Sequence, residues 1–183
     1  MKYFIEIGSN SYDTLTYLCK EEGWTGVLVE PLKKYFDQIE RVKNCFYENL
    51  AITENGGKYK FYYYDHYSAL GWGTLEKEHL KKLSHLSSNE PICVEVDSIT
   101  INDLFKKYNF PQIDYLKIDT ESYDAKIIKT IDFSKVKIKK IKFEFSHLTA
   151  KELVEVMVLL KNNKLESFYF DADNLTAELR EEL

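Results

Sequence analysis

Short apolar runs alternate along this chain with stretches in which apolar residues recur every three or four positions. Tyr3 to Ile7 is a compact strand pattern that stops at Gly8, and Leu15, Leu18 and Cys19 follow at helical spacing. Gly26 to Glu30 repeats the strand pattern, and Leu32, Tyr35, Phe36 and Ile39 mark one face of an amphipathic helix. A third strand is expected within Cys45 to Thr53. Strand, helix and strand in repetition predict a parallel sheet with helices on both faces.

The middle of the chain breaks this rhythm. Asn55-Gly56-Gly57 is a turn signal, and Tyr59 to Tyr64 reads as an antiparallel return strand. Residues 65–91 carry loop signals around a short helix near Leu75 to Leu86, and are expected to be an insertion or lid. The alternation then resumes with a strand over Ile92 to Val96. Thr100 and Asp103 resemble a capping box ahead of Ile101, Leu104, Phe105 and Tyr108. Ile113 to Ile118 is the next strand, and Asp124 is expected to cap a helix carrying Ile127, Ile128 and Ile131. Ile141, Phe143 and Phe145 alternate as a strand. Thr149 and Glu152 cap a helix bearing Leu153, Val156, Met157 and Leu160, and Leu165 to Phe170 forms a last strand. No internal repeat is present.

Composition narrows the picture. The 183 residues suit one domain, 1–183, and 44% hydrophobic with 30% charged positions rules out wholesale disorder. No apolar run is long enough to span a bilayer. With Lys+Arg 25 against Asp+Glu 30 the net charge is −5, which opposes non-specific nucleic-acid binding. Cys19, Cys45 and Cys93 are odd in number and unpaired in spacing, so a reducing compartment is expected. The chain enters a strand at once without a signal-peptide pattern, so the cytoplasm is its expected location.

In an open parallel sheet, ligands bind beyond the carboxyl ends of strands. After the first strand come Gly8 and Asn10, and after the second come Glu30 and Pro31, with Glu30 22 positions beyond Gly8. A glycine turn followed at that distance by an acid is a nucleoside-binding arrangement: the glycine admits the ligand and the carboxylate accepts the ribose hydroxyls. A plain turn and a plain helix cap are the alternative readings. The run from Gly8 to Asp13 lacks the three glycines of a dinucleotide cradle, and Tyr12 would obstruct a pyrophosphate. S-adenosylmethionine fits this spacing better than NAD.

The segments Phe4 to Thr14, Gly26 to Pro31, Glu48 to Thr53, Ile113 to Asp124 and Ile141 to Phe145 resemble the FkbM-type methyltransferases in order and spacing from about Phe4 to about Phe170. The most specific element is Lys117-Ile118-Asp119-Thr120-Glu121, similar to the Lys-Ile-Asp-x-Glu-Gly signature of that family. The resemblance implies a Rossmann-like α/β fold and a methyltransferase that uses S-adenosylmethionine on a hydroxyl of a sugar or other small metabolite. It also implies positions. Glu6, Gly8 and Asn10 would line the methionine part of the cofactor, Glu30 with Pro31 would hold the ribose, Asn49 and Ala51 would lie near the adenine, and Asp119 and Glu121 would flank the transferring methyl. Two positions depart from the family: Tyr12 and Ser122 stand where it has glycines.

Methyl transfer to an alcohol needs a base near the acceptor proton. Asp119, Glu121 and His147 are the candidates, with His66 and His79 behind them. Their structural alternatives are a helix cap or a partner for Lys117 in the case of Asp119, and a surface or capping role for His147. No metal is expected. His66 and His79 lack an HExxH or cysteine context, and linear spacing does not assemble Asp119, Glu121 and Glu144. Tyr59 to Tyr64 reads as a half-buried hairpin, whereas Tyr67 and Trp72 are candidates to stack on a flat acceptor from a flap over Ser68 to Gly73. The lysines from Lys135 to Lys142 mark the solvated approach to a strand. The expected partner is thus a small-molecule or glycan acceptor. A non-catalytic binding or assembly module and a nicotinamide enzyme are the rival readings.

Overall fold

A computed structural model describes residues 1–12, 14–21, 23–65, 72–82 and 90–180. Along the chain run β1 (Lys2–Ile7), α1 (Thr16–Lys20), β2 (Trp24–Val29), α2 (Lys33–Phe36), β3 (Cys45–Glu48), β4 (Ala51–Ile52) and β5 (Gly57–Tyr63). Then follow β6 (Gly73–Thr74), α3 (Lys77–Lys82), β7 (Ile92–Ile99), α4 (Ile101–Tyr108), β8 (Tyr115–Ile118) and α5 (Asp124–Thr130). β9 (Lys140–Glu144), α6 (Ala150–Asn162), β10 (Leu165–Asp171) and β11 (Asn174–Leu179) complete it. No described helix is long and apolar enough to cross a membrane.

The main sheet has the order β10-β11-β9-β8-β1-β2-β3. Five of its strands are parallel, and β11 pairs antiparallel with both β9 and β10. From β1 the chain first winds outward through β2 and β3, then returns to build β8 and β9 on the other side. The reversal point lies between β1 and β8, where a crevice opens at the strand ends. β1 is central, and its alternate side chains enter different cores. Ile5 and Ile7 pack with α4, α5 and α6, whereas Phe4 packs with Leu15, Leu18 and Cys19 of the α1 side. Helices therefore cover both faces, which is why the central strands are nearly continuous in apolar residues.

The sequence pattern misplaces the interruption. β4, β5, β6 and β7 form a separate four-stranded sheet of order β4-β7-β5-β6. The return strand Tyr59 to Tyr64 pairs antiparallel with β7 there, and lies outside the main sheet. The segment read as one third strand divides between β3 and β4, one in each sheet. The antiparallel edge of the main sheet is instead the β10–β11 hairpin, whose second strand the apolar pattern did not single out. Alternation records burial on one face, and is blind to which sheet provides that face. Of the expected lid, residues 66–71 and 83–89, with His66, Tyr67 and most of the flap, lie outside the described residues.

Caps follow the sequence closely but not everywhere. Thr149 and Glu152 form a complete capping box at α6. At α4 Thr100 accepts from the Asp103 amide, half of such a box. Asp124 does not cap α5 but is its first residue; Tyr123 holds the cap position without a side-chain bond. The Asp124 carboxylate is buried and accepts from Thr120 Oγ1 at 2.8 Å and from the Glu144 amide at 3.3 Å, tying the loop after β8 to β9. The lysines around β9 are largely paired: Lys135 with Asp132, Lys139 with Asp114, Lys140 with Glu178 and Lys142 with Asp171.

Two turns carry the strain of the design. Gly8 has φ +78°, and a Cβ there would stand 1.8 Å from the Asp119 carbonyl oxygen. The close approach is fixed by the Asp119 amide donating to Ile7 at 2.9 Å. Beyond β8, Glu121 and Ser122 have φ +52° and +90°, a left-handed pair that glycine would adopt freely. Ser122 Oγ lies 3.3 Å from Thr74 Oγ1 of β6, an anchor from the second sheet.

Gly8→Ala is expected to lose about 2–4 kcal/mol in chemical denaturation, from a left-handed Cβ added to overpacking. A loss under about 0.5 kcal/mol would contradict the close approach. At position 122, Ser122→Gly and Ser122→Ala both lose the hydroxyl and differ only by a Cβ. The glycine variant is expected to be more stable by about 1–2 kcal/mol, and equal stability would show that the loop relaxes.

Candidate active site

An open pocket of about 830 Å³, its mouth included, lies over the ends of β1, β2 and β8. The turn after β1 contributes Gly8, Ser9, Asn10 and Tyr12, and the turn after β2 contributes Glu30, Pro31, Leu32 and Tyr35. Lys117, Asp119, Thr120 and Glu121 close the β8 side. Leu50, Ala51 and Ile52 with Phe61, Gly73 and Leu75 supply an apolar wall from the second sheet. Pocket residues far apart in the sequence thus converge because the parallel strands end together.

Glu30 is the pocket's most constrained acid. It is 5% exposed, and its two carboxylate oxygens accept from the Asn10 amide at 2.9 Å and the Leu32 amide at 2.8 Å. Burial pushes its carboxyl up to about 7, and the two amides only partly offset this. Each oxygen keeps acceptor capacity for a further donor. Asn10 takes φ +51°, so the turn after β1 is held against the turn after β2 through this one side chain.

Beneath the pocket, Glu6 is fully buried. Its carboxylate binds Lys117 Nζ at 2.9 Å and accepts from the Leu15 amide at 2.7 Å. Strand register makes this pair, because Glu6 and Lys117 are neighbours across β1 and β8. Burial raises the Glu6 carboxyl despite the lysine. Glu6 itself lies outside the pocket lining, while its partner Lys117 lines it. Asn49 is also outside: its Nδ2 donates to the carbonyls of Glu30 at 2.9 Å and Pro31 at 3.0 Å, latching the β2 turn from behind. Gly8, Asn10, Glu30, Pro31, Ala51, Asp119 and Glu121 do share the pocket. Tyr12 stands at its rim, 58% exposed, and the pocket remains open beside it.

The far side is a cluster of acids and imidazoles. Burial raises the Asp119 carboxyl to about 6, Lys117 opposing and Glu121 and Glu144 adding to the rise. Glu121 Oε2 is 3.3 Å from His147 Nε2 and 3.8 Å from His79 Nε2. Burial alone would raise Glu121, but the hydrogen bond from His147 and the closeness of His79 leave it lowered. His147 Nε2 also meets Glu144 Oε1 at 3.0 Å, and the two carboxylates push its imidazole up to about 10. His147 is thus bonded to Glu121 and Glu144 without lining the pocket. Periodicity had no means of finding Thr74, whose hydroxyl meets Ser122 across the two sheets, or Phe61, which lines the pocket from the second sheet. Asp124, read from the sequence as a helix cap, instead ties the loop after β8 to β9.

The family model described as the methyltransferase FkbM domain matches residues 6–180. Among solved structures, the METTL16 methyltransferase domain is similar over 98% of this chain and 60% of its own, at 11% identity and TM-score 0.48. The human methyltransferase 10 domain containing protein is similar over 99% and 73%, at 12% identity and TM-score 0.46. The N-terminal domain of human METTL16, solved with SAH, is similar over 99% and 62%, at 11% identity and TM-score 0.47. This chain therefore spans about three fifths of the METTL16 domain it resembles. No curated protein matches the sequence. With nearly its whole length covered by the family model, the chain belongs to the FkbM methyltransferase family, whose methyl donor is S-adenosylmethionine.

Proposed function

We propose that the pocket seats S-adenosylmethionine with its ribose on Glu30 and its sulfonium toward Asp119, for transfer to a hydroxyl of a sugar or other small metabolite. The observation that carries this reading is the buried Glu30 carboxylate, facing the same cavity as Gly8 and Asp119 across the strand reversal. Its spare acceptor positions suit the paired ribose hydroxyls, and the Gly8 turn has no Cβ to exclude the ligand. The apolar wall formed with Leu50, Ala51 and Ile52 suits an adenine face.

Bound in this way, the cofactor supplies a methyl group activated on a positive sulfur. The chain's own contribution is alignment and proton removal. Asp119 would accept the proton of the acceptor hydroxyl, and bound S-adenosylmethionine would supply the methyl group. Lys117, pinned by Glu6, fixes the β8 side of the pocket. His147 positions Glu121 from outside the pocket, its Nε2 lying 3.3 Å from Glu121 and 3.0 Å from Glu144. Such a site requires no nucleic-acid surface, and the free thiols of Cys19, Cys45 and Cys93 favour a reducing compartment such as the cytoplasm.

Two outcomes test the assignment. Glu30→Gln, which keeps one acceptor oxygen for the backbone, is expected to weaken S-adenosylhomocysteine binding by about 1–3 kcal/mol in calorimetry. In the wild type the same affinity should fall as pH drops through about 7, because ribose hydroxyls favour the ionised carboxylate and protonation removes it. The glutamine variant should be flat across that range; identical profiles for the two proteins would remove Glu30 from the site. Asp119→Asn is expected to cut turnover about 10²- to 10⁴-fold with the fold retained, measured on a panel of sugar acceptors. Full turnover would exclude it as the base, and tight binding without any product would favour the non-catalytic module.

A further inference from the structure

Three side chains that the sequence scatters meet beside the pocket: His79 on α3, Glu121 after β8 and His147 after β9. Their donor atoms all lie within 4.8 Å of one another, and the two imidazoles meet edge to face with centroids 4.2 Å apart. Glu121 Oε2 is the hub, 3.3 Å from His147 Nε2 and 3.8 Å from His79 Nε2. The last separation exceeds hydrogen-bond reach. His79 is 7% exposed, and its Nε2 is buried without a hydrogen-bond partner among the described residues. A polar atom left so in a protein interior is costly and calls for an explanation.

We propose that His79, His147 and Glu121 form a binding site for a zinc-class divalent cation. Four-coordinate zinc at its usual bond lengths sets its donors about 3.3 Å apart, so the Glu121–His147 distance already fits and the Glu121–His79 distance of 3.8 Å needs only slight contraction. An ion between them gives His79 Nε2 the partner it lacks. Glu144 Oε1, 3.0 Å from His147 Nε2, stands as a further oxygen donor, and Asp119 adds negative charge nearby. Two imidazole nitrogens favour zinc or a similar transition metal over magnesium, which prefers an all-oxygen shell. Linear spacing points to no metal here, because His79 on α3 and His147 after β9 belong to no common motif and meet only in the fold. Glu121 lines the pocket, so an ion on its oxygen stands at the pocket's edge.

The test titrates the full chain, stripped with chelator, with Zn²⁺ by calorimetry and with Co²⁺ by visible absorption. One ion per chain is expected, with the intense bands of low-coordinate cobalt. His79→Gln and His147→Gln should each weaken Zn²⁺ binding by more than about 100-fold, with folding checked by circular dichroism. Absence of stoichiometric Zn²⁺ binding in the wild type, or undiminished binding by both folded variants, overturns the site. Mg²⁺ binding as tight as Zn²⁺ binding and indifferent to both substitutions also overturns it, in favour of Asp119, Glu121 and Glu144. Should the variants not fold, the wild-type cobalt spectrum decides, since weak octahedral bands contradict the proposed ligands. S-adenosylhomocysteine titrated into the same wild-type sample separates the two readings. Binding of it without Zn²⁺ sinks only the metal site, and the reverse sinks only the cofactor assignment.

Discussion

Three carboxylates, Glu6, Glu30 and Asp124, are almost wholly withdrawn from water at the ends of adjacent strands, and the cost of holding them there organises this end of the molecule. Each is satisfied by at least one donor from another turn or strand: Lys117 with the Leu15 amide for Glu6, the Asn10 amide with the nearby Leu32 amide for Glu30, and the Glu144 amide with the nearby Thr120 for Asp124. A buried acid stripped of such partners is far costlier than one never buried. The turns after β1, β2 and β8 are consequently fixed to one another by side chains rather than by packing alone. The pocket walls inherit their geometry from these bonds.

Topology supplies the rest. Because the strand order reverses between β1 and β8, the chain leaves those two strands in opposite directions and a crevice opens between them. Gly8 allows the two strand ends to approach until the Asp119 carbonyl sits over the glycine Cα, which brings Asp119 to the cavity. The second sheet then roofs the apolar side. Its β6 reaches the strained Ser122 through Thr74, so the loop that presents Glu121 is supported from both sheets.

Much of this was legible in the residues. β1, β2, β8 and β9 stand close to their expected positions, since parallel central strands are apolar on both faces and leave a strong signal. Glu30 and Asp119 were legible as pocket-lining residues because residues just beyond the carboxyl ends of parallel strands face the crevice. The second sheet was not, because an alternating strand such as β5 looks the same whichever sheet it joins. Glu6 and Asn49 stand outside the pocket lining for reasons that spacing does not record: Glu6 bonds Lys117 and the Leu15 amide, and Asn49 bonds the carbonyls of the β2 turn. His79 was visible as a residue but not as a neighbour of His147, since only the packing of α3 against the strand ends brings the two rings together.

The most direct measurement is a crystal structure of this chain with S-adenosylhomocysteine bound. The account predicts both ribose hydroxyls on the Glu30 carboxylate, the adenine against Ala51 and Ile52, and the sulfur on the Asp119 side. A ligand seated elsewhere, or one whose ribose turns away from Glu30, would contradict it.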